Sequence, residues 1–149
     1  MISAKEIADA VKTVIQGHTF TKTLTVTSSI YPSLREEDLT TTGYLVSVLP
    51  RAYPAISPAT RGVYHVDTDI NVVLAKLVPD GINSSEVDTL LGLIDEILVF
   101  LAGKDITVSG YVISNTNVQL DPIYDRDKLQ NNVFLSAINL TYKTSFTRS

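Results

Sequence analysis

The chain holds two histidines, His18 and His65, and no cysteine. Two imidazoles lying far apart in sequence are too few for a histidine-based metal centre. Without a thiol, disulfides and thiolate chemistry are excluded. His18 follows Gly17, where an imidazolium would sit favourably against a helix C-terminus. His65 falls in a strand pattern, on the face expected to meet solvent. Asp67 and Asp69 share that strand face at period two. They read either as a cation-binding pair or as a solvated or subunit-facing polar edge. Asp95 and Glu96 are adjacent on a helix and diverge, so they do not make a paired acid and base. Asp121, Asp125 and Asp127 are spaced somewhat like calcium ligands but lack the mid-loop glycine and closing glutamate of such a loop. No phosphate-cradling glycine loop, Gly-x-Ser-x-Gly elbow or His-Glu-x-x-His pair is present. The residues imply no cofactor and no catalytic constellation, which shifts attention to the elements that carry them.

Two helices announce themselves by punctuation and periodicity. Ser3 and Glu6 form a capping-box pattern, flanked by Ile2 and Ile7 as a staple. Ile7, Val11, Val14 and Ile15 then make an apolar stripe that Gly17 ends. Asn83 and Glu86 repeat the box, with Ile82 and Val87 as its staple. Val87, Leu90, Leu91, Ile94, Ile97, Leu98 and Leu101 share one face until Gly103 closes the helix. Strands are expected at 22–30, 44–49, 62–78, 107–114 and from Asn132 to about Phe146. In the long third strand, Tyr64, Val66, Thr68, Ile70, Val72 and Leu74 alternate with polar residues. From Val73 onward both faces are apolar, so that end is expected to be covered on both sides. Pro50, Pro54 and Pro58 recur every fourth residue between Arg51 and Arg61, a pattern expected to prevent helix and ladder pairing alike. The expectation is one α+β domain over 1–149, with extended loops at about 31–42 and 50–61. Its single, mostly antiparallel sheet carries the long helix on one face, in the order α-β-β-β-α-β-β. Asp125 is placed to cap a short helical turn before the last strand.

At 149 residues and 44% hydrophobic content the chain can bury a real core as one domain. A net charge of −4 disfavours general nucleic-acid binding, which needs a surplus of lysine and arginine. Met1 to Glu6 lacks the shape of a signal peptide. The most apolar run, Leu90 to Leu101, is interrupted by Asp95 and Glu96 and is too short for a bilayer. The expectation is a soluble domain assembled in the cytoplasm, with no membrane partner.

The order and texture of these elements resemble a tail-terminator (tail-completion) protein of long-tailed bacteriophages. The helix Ala4–Gln16, the strand Leu45–Pro50 leaving at Arg51, Thr60-Arg61-Gly62 opening the strand to Leu77, and the helix Val87–Leu101 carry the resemblance. Asp121 to Asp125 followed by Val133 to Tyr142 is similar to the family's close, while the proline segment 50–59 departs from it. The resemblance implies a non-enzymatic virion protein. It would form a homo-hexameric ring on the head-proximal end of the tail tube, stop tube polymerisation and face the head-tail connector or neck protein. Where the tail is contractile the sheath would be a further partner. DNA would pass through the lumen without specific binding: six subunits at −4 give 6 × −4 = −24, a field that repels phosphate. A cyclic ring needs a heterologous interface. Arg51 and Arg61 on one side, with Asp67 and Asp69 on the other, are the residues expected to form it. Rival readings are another neck, head-completion, connector or baseplate component. From a different class, the rival is a small α+β enzyme or ligand-binding domain.

Overall fold

Ser3 starts the first helix as expected. Its hydroxyl accepts from the Glu6 N–H at 3.2 Å, and the Glu6 carboxylate accepts from the Ser3 N–H at 2.8 Å. These bonds satisfy two otherwise orphaned donors. In the computed structural model, which describes residues 2–28, 43–51, 55–79, 81, 84–120 and 123–148, helix α1 runs Ala4–Gln16 and buries Ile7, Ala8, Val11 and Ile15. Helix α2, Glu86–Leu101, buries Val87, Leu90, Leu93, Ile94, Ile97 and Leu101. The capping box expected for it at Asn83 does not form its start. Ser85 is the N-cap and makes no side-chain cap bond, while Ile82 and Asn83 lie outside the described residues. Glu86 is engaged elsewhere: its carboxylate pairs with the Lys76 ammonium, which is 1% exposed and stands over the Tyr44 ring at 5.2 Å.

The fold is α+β with one seven-stranded sheet, and its element order is longer than expected. The strands are β1 Leu24–Ser28, β2 Tyr44–Pro50, β3 Ala55–Thr60, β4 Val63–Leu77, β5 Ile106–Val108, β6 Tyr111–Leu120 and β7 Val133–Thr147. A short helix α3, Arg126–Gln130, precedes β7. The Asp125 side chain caps it, accepting from the Lys128 N–H. Spatial order is β1-β2-β4-β7-β6-β5, with β3 following β2 along the same edge of β4. Among the described residues only the β1–β2 pair is parallel. The connector expected at 31–42 lies outside the described residues.

Two expectations are corrected. The span 107–114 is not one strand: Ser109 (φ 50°) and Gly110 (φ 82°) turn it into the β5–β6 hairpin. Two consecutive left-handed residues match the twist of a tight hairpin, and Ser-Gly suits that role. The proline segment 50–61 is not free of pairing either, because β3 pairs antiparallel with β4. The Arg51 N–H donates to the Asp69 C=O at 2.9 Å, so odd residues of β4 present their backbone to the β2–β3 side. Ser57 and Ala55 face His65 and Asp67 there, which turns the backbone of Ile56 and Pro58 outward. A proline whose missing N–H points away from the ladder is tolerated on an edge strand.

The even-numbered residues of β4 and β7 line the helix side. Ile70, Val72, Leu74, Phe134, Ile138, Leu140 and Tyr142 join Val46, Val48 and both helix stripes in one core. The opposite face has an apolar end, where Leu49, Val73 and Ala137 cluster beside Ala75 and Val133, as the sequence of β4 led us to expect. No helix among the described residues is long and apolar enough to cross a membrane.

Candidate functional site: the β-arm and the polar sheet face

Past Val66 the helix-side core gives out, and β3, the first residues of β4 and the last of β7 continue as a three-stranded arm. All six residues of β3 are exposed. Ile56 is 55% exposed, unusual for a branched apolar side chain. The tip is the Arg61-Gly62 turn, with Gly62 at φ 79°, and the Arg148 N–H donates to the Gly62 C=O at 2.8 Å. Tyr64 and Phe146 stack across the strands at 5.4 Å between ring centroids and stiffen the arm's helix side.

On the other face the arm continues into a polar ladder. His65 lies opposite Ser145, Asp67 opposite Lys143, Asp69 opposite Thr141 and Asn71 opposite Asn139. Asp69 is held within the sheet, its Oδ1 accepting from Thr141 Oγ1 at 2.8 Å. His65 Nδ1, Asn71 Oδ1 and Asn139 Oδ1 are buried without a hydrogen-bond partner.

Of the four residues expected at a subunit interface, Arg51, Asp67 and Asp69 lie together along the outer face of the sheet and Arg61 lies apart from them at the arm's tip. Arg51 is joined to Asp69 through the backbone, Asp67 is the next outer-face residue along β4, and Arg61 is in the turn at the tip. Six residues of strand put the tip roughly 20 Å beyond Asp67. Arg148, Lys143 and the free side of β7 belong to the same arm. Sequence reasoning missed them because only the β4–β7 register brings residues 143–148 beside 62–67.

Among the described residues no group of three or more histidine, aspartate and glutamate side chains is gathered as metal ligands. His18 is packed, its ring stacked on Phe100 at 4.0 Å and set edge-on to Phe20. Glu96 anchors a loop, accepting from both the N–H and the hydroxyl of Thr21 at 2.9 and 2.6 Å. Asp125 caps α3, and Asp121 lies outside the described residues.

No protein-family model and no curated protein sequence matches the chain. A solved structure aligns with it along the full length of both chains, at a TM-score of 0.50 and 16% identity. At that identity the likeness speaks for the fold alone.

Proposed function

We propose that this chain is a virion structural protein, a tail terminator whose copies close into a ring on the head-proximal end of the tail tube. The ring ends tube polymerisation and presents a surface to the head's connector. The sequence resemblance supports the reading, and the observation that carries it is the β-arm. Its exposed edge strand, protruding Ile56 and tip arginine make a projecting surface distinct from the helix-covered body, as a head-to-tail ring requires of each subunit. Arg61 and Arg51 on this surface are assigned to the subunit interface. Asp67 and Asp69 are assigned to it as well, beside Arg51 on the outer face of the sheet. The side chains of Asp95, Glu96 and Asp125 act in capping, anchoring or solvation, and the chain is read as having no enzymatic role.

The test is to incubate the labelled chain with assembled tail tubes and image them by electron microscopy. Label confined to the end that receives the head supports the proposal. Label spread along the tubes, or absent from them, contradicts it.

A further inference from the structure

The arm has two long edges, and they are not alike. On β3 the backbone groups of Ile56 and Pro58 face outward, and Pro58 has no N–H to offer, so this edge is blunted against further pairing. On β7 the situation is reversed. The Thr141 C=O accepts from Asn115 Nδ2 and Thr116 Oγ1, and the Leu135 C=O accepts from the Asp125 N–H. Odd residues of β7 thus present their backbone away from β4. The even-numbered Arg148 points its N–H back to Gly62, in the turn before β4. β6 pairs with β7 only as far as Ser114 and Lys143, then turns off to pair with β5. Among the described residues, no strand covers the N–H and C=O groups of Ser145 and Thr147.

The gap left by the divergence of β6 is a groove of about 250 Å³ lined by Ile2, His65, Tyr111, Val112, Lys143 and Ser145, among others. Tyr111 and Val112 are 69% and 68% exposed on its wall, and Thr144 Oγ1 is buried in it without a partner. Unpaired strand backbone beside an apolar wall is what strand addition uses: main-chain bonds give affinity, and the wall takes alternate side chains. Charge indicates the donor. Residues 55–67 and 143–148 carry Arg61, Lys143 and Arg148 against Asp67, which is 3 − 1 = +2. The described residues outside the arm carry eight lysine and arginine against ten aspartate and glutamate, 8 − 10 = −2. A basic arm on an acidic body is complementary to the body of another copy.

We infer that the open edge of β7 at Ser145 and Thr147 is a strand-addition site that receives an extended segment from the body of a second copy of this chain. The inference rests on the ring reading and gives it a specific contact, with one edge blunted and one open so that pairing is directional.

Sedimentation equilibrium on the wild type and on Ser145→Pro tests it, with hydrogen exchange at the Ser145 and Thr147 amides. Proline at 145 removes an N–H that no described strand pairs with, so far-UV dichroism and melting should hold while association falls at least tenfold. Arg61→Glu combined with Arg148→Glu should weaken association by a similar factor and reduce its salt dependence. In the wild type, both amides should become protected as oligomer forms. Association unchanged in Ser145→Pro, with both amides still exchanging freely, would overturn the inference and leave the ring reading standing on another interface. A wild type that stays monomeric at millimolar concentration would overturn the inference, and the ring reading would then be judged on tail tubes.

Discussion

Tyr142 is fully buried on the helix side of β7, and its hydroxyl finds no hydrogen-bond partner. Burial, with the Asp105 charge adding to it, pushes the phenol well above its ordinary value of 10. A phenol that resists ionisation only when folded leaves stability intact below pH 10 and erodes it as pH rises beyond that value. Tyr142→Phe removes an unsatisfied polar atom whose desolvation costs roughly 1–3 kcal/mol. It should therefore be neutral or stabilising in urea denaturation and should flatten the alkaline loss. Asp9 shows the opposite sign. The Ser28 hydroxyl donates to its carboxylate at 2.7 Å and holds it below 3.8; slight burial opposes this, and Lys5 assists. That contribution is present at neutral pH and fades as pH falls below 3.8. Ser28→Ala should move the Asp9 carboxyl back toward 3.8 in an NMR titration. Neither residue stood out in the sequence, because a tyrosine or aspartate in a periodic segment gives no sign of which neighbour the fold will set beside it.

At the scale of elements, α2 is tied to the end of β4 by the Lys76–Glu86 pair. Lys76 is buried but the Glu86 side chain is 29% exposed, so solvent screens the pair and losing the carboxylate costs roughly 1.5 kcal/mol. Glu86→Gln should lose about that much in urea denaturation, while Lys76→Met, which removes the buried charge itself, should lose far less. Where local signals sufficed, the elements were legible. The Ser3–Glu6 box, Asp125 as a cap and the long alternating β4 stand as read, while the α2 stripe is shifted: Leu93 is buried, and Leu91 and Leu98, expected on that face, are half-buried. Two strands were hidden by chemistry that local pattern does not resolve. Proline in β3 is tolerated only because the strand is an edge with Pro58 turned outward, a fact of tertiary pairing. The Ser109-Gly110 hairpin was legible in principle, since serine and glycine together favour left-handed backbone, yet the flanking β-branched residues masked the break. The arm itself was out of reach, because residues 143–148 join 62–67 only through the full β4–β7 register.

Among the described residues of the molecule, the arm carries +2 and the remainder −2, and no strand covers the β7 edge of the arm at Ser145 and Thr147. The proposed head-to-tail ring needs two different surfaces on each subunit, where a two-fold dimer needs one. Six copies carry 6 × −4 = −24 overall, and the lumen of the proposed ring should be acidic and let DNA pass; a lumen lined with lysine and arginine would contradict that. Subunit number is the most direct check. Sedimentation equilibrium at low salt, with negative-stain images of the same sample, should give 6 × 16.3 = 97.8 kDa and closed sixfold rings. A symmetric dimer, or a monomer that persists both alone and in the presence of tail tubes, would contradict the account.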